Sequence, residues 1–159
     1  MAVDMFLKIE GIPGDSTNAK FKDHIDVLSF GWGATQSASF AFGGGGGTGK
    51  ASIQDFSFVK QPDTATAKLF KGVVTGEHIP EATLILVKAG ESQQAFMKLK
   101  MTNVIITGYQ TGGSAGVLPA EQCSFAFQKV ELSTAEQKAD GSIGSWETIA
   151  FDLSQNVSQ

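Results

Sequence analysis

The 159-residue sequence contains no arginine: all 12 of its basic residues are lysine. Arginine is the side chain that most readily forks onto guanine edges and phosphates. Its absence, with a formal charge of −4 and a pI near 5.1, argues against a nucleic-acid binder. Cysteine is almost missing as well. Cys123 stands alone, which excludes a disulfide framework and fits a reducing compartment. No apolar run approaches the ~20 residues of a membrane helix, so membrane insertion is not expected. The opening MAVDMFLKIEG interrupts its one apolar run with Asp4 and Lys8 and does not read as a signal peptide. If the protein leaves the cell, it does not do so by the general secretory route.

The groups that usually carry chemistry are equally sparse. His24 and His78 are the only histidines, and neither has a Cys, His or carboxylate at ligand spacing. No serine lies in a G-x-S-x-G elbow. Cys123 alternates in step with Phe125 and Phe127, as a small buried hydrophobe does. Asp26 and Asp55 lie in strand-like segments, and nothing pairs them as acid and base. No catalytic residue, metal or cofactor is expected, and the chain does not read as an enzyme.

What is present is globular. Apolar residues make up 42% and charged residues 18%, and the length fits one domain over residues 1–159. The organising stretch is His24 to Lys50. Its even positions, Leu28, Phe30, Trp32, Ala34, Gln36, Ala38, Phe40 and Phe42, are mostly apolar. Its odd positions, Ser29, Gly31, Gly33, Thr35, Ser37, Ser39 and Ala41, are small. Period two indicates a half-buried strand or a tight pair of strands, with the even side in a core. The odd face is smooth and uncharged, which suits close approach by another body. The run Gly43–Gly47 cannot order itself cheaply and is ordered by a partner or not at all.

Other segments follow in chain order. Val3 to Ile9 alternates as a first strand, then Gly11–Asp15 turns and Ser16–Lys22 forms a polar loop. Ile53–Lys60 is a strand with Phe56 and Phe58 on one face. After Pro62 comes one helix, capped by Asp63 or Thr64, with Leu69, Phe70, Val73 and Val74 on one side and Gly76 past its end. Lys68 and Lys71 lie off that stripe. Ala82–Ala89 reads as a strand covered on both faces, and Ala95–Thr111 as a long strand. The loop Thr111–Pro119 leads to Glu121–Leu132, where a parity shift near Gln128 and Lys129 suggests a bulge. Ala139–Ser142 is a hairpin turn, Ser145–Leu153 the last strand, and Ser154–Gln159 a frayed tail. The expected fold is mainly β: a two-sheet antiparallel barrel or sandwich of about seven strands with one outer helix.

The glycine run almost spells a phosphate loop, since Gly44 and Gly49-Lys50 match G-x-x-x-x-G-K. The next position must carry a hydroxyl for magnesium and is Ala51. A phosphate loop also opens a helix, whereas IQDFSFV reads as a strand. Nucleotide binding is therefore set aside.

The segment Ile25–Gly33 (IDVLSFGWG), the polyglycine run before Lys50 and the N-terminal MAVDMFLKIEG resemble the haemolysin-coregulated protein (Hcp) family, the tube proteins of bacterial type VI secretion. Lys138–Gly141 and Asn156-Val157 also fit, so the resemblance spans the chain. It implies a small β-barrel with an outer helix, a homohexameric ring, and rings that stack into an exported tube. The implied partners are other copies of the chain, the sheath and spike proteins, and small effectors carried in the lumen. The implied localisation is cytoplasmic when made, then secreted without a signal peptide. It assigns Ser29, Gly31 and Gly33 to the lumen, and Gly43, Gly44, Gly45, Gly46, Gly47, Thr48, Gly49 and Lys50 to a ring-stacking loop. The alternative from the residues alone is a monomeric β-sandwich that binds protein or carbohydrate, which would require exposed aromatic platforms.

Overall fold

The computed structural model describes residues 2–40, 47–90, 92–155 and 157–158. Its strands are β1 (Val3–Ile9), β2 (Ile25–Asp26), β3 (Ser29–Gly31), β4 (Ala34–Ser39), β5 (Gly47–Ile53) and β6 (Phe56–Lys60). The helix α1 (Thr66–Thr75) follows, and then β7 (His78–Lys88), β8 (Ala95–Gly112), β9 (Ala120–Gln137), β10 (Ile143–Asp152) and β11 (Val157–Ser158). Among the described residues eleven strands thus stand where about seven were expected. The surplus arises because the stretch after His24 breaks into three strands, the glycine run ends inside a fourth, and part of the tail pairs back onto β10.

One antiparallel sheet runs β11-β10-β9-β8-β7-β1-β2 and curls into a barrel. The long strand β9 holds it together. Its first half pairs with β6, from Lys60 opposite Glu121 to Phe56 opposite Phe125, and its second half pairs with β10. The segment from Ile25 to Gly31 then joins the two ends of the sheet. β2 lies on β1, and β3 lies on β6. Between them, Val27 N–H donates to Met5 O at 3.0 Å and Leu28 N–H to Val59 O at 2.8 Å.

The curl has a sequence origin. Inward-facing positions are Leu99 and Met101 early in β8 but Val104 and Ile106 later. They are Cys123, Phe125 and Phe127 in β9 but Val130 beyond, and Ile79 in β7 but Ala82 and Leu84 beyond. Three adjacent strands therefore change parity at one level. The register is the same on both sides of Asn103, at Thr102–Lys129 and at Val104–Phe127, so the shift expected near Gln128 is a shared bend and not a bulge. The register shift in this pair falls instead between Ile106 and Gly108. At the bend, Asn103 adopts φ +53°. Its side chain accepts from His78 Nδ1 at 3.0 Å and donates to Gln128 Oε1 at 3.0 Å.

Inside the barrel, Phe56, Phe58 and Phe125 pack with ring centroids 5.3–5.9 Å apart. Such contacts contribute about 0.5–1.5 kcal/mol each beyond burial. The helix start is held reciprocally: Asp63 Oδ1 accepts from Ala65 N–H at 2.9 Å, and Thr66 Oγ1 accepts from Asp63 N–H at 3.0 Å. Gly76 ends the helix at φ +64°. Leu69 and Gly72 are buried against the barrel and Val73 packs beside them, whereas Phe70 and Val74 are exposed. The expected four-residue stripe therefore splits, because a rotation of about 100° per residue puts Phe70 and Val74 on the next face. Strand β7 is buried at Ala82, Leu84 and Leu86, but Thr83 and Ile85 are only half-covered, so its outer face is less sheltered than expected.

Candidate assembly surface

The segment that closes the barrel also presents the surface that the sequence singled out. Ile25 and Val27 point into the core, and after the hand-over from β1 to β6 it is Phe30 and Trp32 that pack against the core. The parity reverses at Leu28, which is 54% exposed instead of anchoring inward as expected. The bend between β2 and β3 accounts for this, since one residue there serves the change of partner strand.

Ser29 and Gly31 are exposed on the outer side of β3. Their neighbours extend the same bland face. Gly31 lies opposite Ser57, Ser57 opposite Ser124, and Ser124 opposite Gly108. In the next row Ser29, Val59, Gln122 and Gln110 are aligned. Small or neutral residues thus cover four strands, tied by Ser57 Oγ–H to Gly31 O at 3.4 Å and by Thr107 Oγ1 with Ser124 Oγ at 2.9 Å. Thr107 also donates to Asp55 Oδ2 at 3.0 Å. The sequence reading missed Ser57, Gln122 and Ser124. Their signal was available: with Phe56, Phe58, Cys123 and Phe125 inward, alternation puts these three outward.

Gly33 does not join this face. It sits half-buried at the base of a hairpin, where Gln54 N–H donates to its carbonyl at 2.9 Å. The hairpin consists of β4 and β5, a two-stranded sheet of its own. Gly47, Thr48, Gly49 and Lys50, expected in a loop, belong to strand β5, with Ser39 opposite Gly47 and Ala38 opposite Thr48. Cross-strand pairing replaces the freedom that composition implied. Gly43, Gly44, Gly45 and Gly46 lie outside the described residues, as does Phe42. Residues Ala34 to Ala38 are exposed although Ala34, Gln36 and Ala38 were expected in the core, and Phe40, expected there too, is 87% exposed. The ribbon projects because β10 takes over beside β9 where β6 ends, which leaves β4 and β5 no strand of the barrel to join.

Residues 6–133 match the family model described as type VI secretion system effector, Hcp. Over 160 aligned residues, the chain is 39% identical to the protein hcp1 of Pseudomonas aeruginosa, covering 99% of each.

The chain belongs to the Hcp family.

Hcp proteins form the tube of type VI secretion, and that role is this chain's. The backbone agrees. A solved type six secretion system protein superposes with a TM-score of 0.95 at 30% identity, covering 99% of this chain and all of that one. Hcp1 of Salmonella typhimurium gives 0.81 at 29% identity, with both chains fully covered. The antiparallel barrel with one helix is thus the Hcp fold.

Cys123 is buried, and burial pushes its thiol up to about 12. His24 has its ring edge-on to Phe6 and Phe21, and its Nδ1 lies 3.1 Å from Lys22 O. Lys50 and Ala51 lie within a strand, where a phosphate loop requires the start of a helix. Among the described residues, no group of three His, Cys, Asp or Glu side chains could hold a metal ion, and no helix is long and apolar enough to cross a membrane.

Proposed function

We propose that the chain closes into six-membered rings, that the rings stack into the exported inner tube, and that small effectors travel in its bore. The observation that carries this is the hairpin β4–β5, a ribbon with no core of its own that ends in an exposed Phe40. Isolated two-stranded ribbons are marginal in water, so a partner surface completes it. Leu28, Val74, Val117 and Ile149 add exposed apolar area in keeping with an assembling protein.

In this reading Ser29 and Gly31 face the bore together with Ser57, Gln122 and Ser124, and Gly33 sets the hairpin at its rim. Gly43 to Lys50 reaches the adjoining ring. The role is structural and not enzymatic. Sheath and spike proteins are the further partners, and export proceeds through the secretion apparatus. The monomeric binding module needs an aromatic platform, but the exposed aromatics among the described residues, Phe40, Phe70 and Trp146, lie on three separate parts of the fold.

Negative-stain microscopy and sedimentation of the purified full chain across concentration test the proposal. Six-fold rings and stacked tubes are expected. A strictly monomeric particle at every concentration would overturn it.

A further inference from the structure

One row of core side chains runs out from under its cover. Leu7, Leu84, Leu99, Leu132 and Ile149 stand opposite one another across β1, β7, β8, β9 and β10. The first three are fully buried and Leu132 is partly buried, while Ile149 is 59% exposed. The chain's own hairpin therefore leaves the end of the row open. Alternation places Glu147, two residues before Ile149, on the same face of β10, and Glu136 on the same face of β9 as Leu132. Both carboxylates are exposed. The barrel thus opens onto an apolar strip edged with negative charge.

The hairpin has the opposite character. Lys50 is the only charged residue between Asp26 and Asp55. It is exposed on β5 and takes part in none of the ion pairs among the described residues. Phe40 is the most exposed large apolar side chain among them. An aromatic anchor and a single cation on a small-residue ribbon match a groove with an apolar floor and an acidic rim.

We propose that the hairpin of one copy lies on the open end of this row in a neighbouring copy. Phe40 packs on Ile149 and Leu132, and Lys50 faces Glu147. This rests on the reading that the chain assembles with itself, and it names the receiving surface. The two patches differ, so the contact is heterologous and propagates from copy to copy into a closed ring or an open stack.

The test uses sedimentation velocity and light scattering of the full chain, with circular dichroism to show that each variant is folded. Lys50→Glu and Glu147→Lys, both at exposed positions, are each expected to weaken assembly by about fivefold per contact, the upper range for an exposed pair. The double variant restores the pair in reverse and recovers assembly, which a loss of folding could not do. Phe40→Ser is expected to weaken assembly without a partner change that rescues it. Wild-type rings with both charge variants assembling normally, or no recovery in the double variant, would overturn this contact alone. A wild-type chain that never assembles would overturn the underlying reading and this contact with it.

Discussion

Lys60 Nζ lies 2.6 Å from Glu121 Oε2, and both side chains are almost wholly buried. The two residues stand opposite each other on β6 and β9. Nζ also reaches Asp63 Oδ1 at 2.7 Å, the Gln61 carbonyl at 3.1 Å and Thr66 Oγ1 at 3.2 Å. Glu121 accepts from Tyr109 Oη–H at 2.9 Å and Thr66 Oγ1–H at 3.0 Å. A buried pair is tolerable only when its remaining protons and lone pairs are met, and here they are. The cluster ties three strands to the start of α1. Removing one partner should be costly: Glu121→Gln is expected to lower unfolding stability by about 3 kcal/mol, the low end for such deletions, because Asp63 still faces Lys60. Urea denaturation at neutral pH measures it.

The same carboxylate sets an acid limb. Burial pushes Glu121 up, but hydrogen bonds from Lys60, Tyr109 and Thr66 outweigh it and hold the group below its ordinary 4.5. A carboxyl lowered in the folded state adds stability that is complete above its ordinary value and is lost as pH falls through the folded one. Asp152, held down by the Ser154 hydroxyl, acts in the same direction. Melting temperature should therefore drop as pH falls below 4.5, and the drop should be shallower in Glu121→Gln. Parallel profiles for the two proteins would contradict this.

Asp26 has the opposite sign. Burial raises its carboxyl, and Asp63, Asp4 and Asp15 add to the rise. A raised folded value means that the charged form opposes folding at neutral pH, and the penalty fades as pH falls toward the ordinary 3.8. Asp26→Asn should raise the melting temperature at pH 7 and lose that advantage in acid. Thermal scans at both ends of the range decide it.

The strands of the barrel were legible because each carries its own period. Phe56–Phe58 and Cys123–Phe127 alternate strictly, and one face of each is buried; Val3–Ile9 alternates except at Phe6, which is buried on the opposite face against Phe21. The helix end was legible from Gly76, whereas its N-cap is Ala65, with no side-chain cap, and not Asp63 or Thr64; Asp63 acts just before it by accepting from Ala65 N–H. The hairpin was not legible, because small residues in β4 alternate with no core to face, and pairing across a glycine run leaves no hydrophobic trace. Leu28 misled for a related reason: its parity holds only while the strand keeps one partner. The assembly face was half legible. Ser29 and Gly31 stood out on one strand, but Ser57 and Ser124 join them only through registers that a single sequence does not state.

Asn103 marks the bend of the sheet and carries a further prediction. Its φ of +53° is costly for a branched side chain, and its amide bridges His78 and Gln128. Asn103→Val should therefore destabilise by about 1–3 kcal/mol, from backbone strain together with the lost bridge. Asn103→Gly keeps the conformation and should cost less. Equal losses in the two variants would place the cost in the bridge alone. Chemical denaturation of the pair separates the two contributions.

Gly31 offers a direct test of which side of β3 faces the bore. A side chain added there would meet only Ser57 Oγ, at 3.3 Å, and the position is exposed on the outer surface of the barrel. Gly31→Gln should consequently change stability by no more than about 0.5 kcal/mol, as surface substitutions do. Gly31→Cys goes further, because the native Cys123 is buried with its thiol pushed up to about 12 and will not compete for a maleimide. A gold cluster coupled at position 31 should then appear as central density in class averages of the rings. Density on the outer rim would reverse the orientation of β3 in the ring, and with it the assignment of Ser29, Ser57 and Ser124 to the cargo surface.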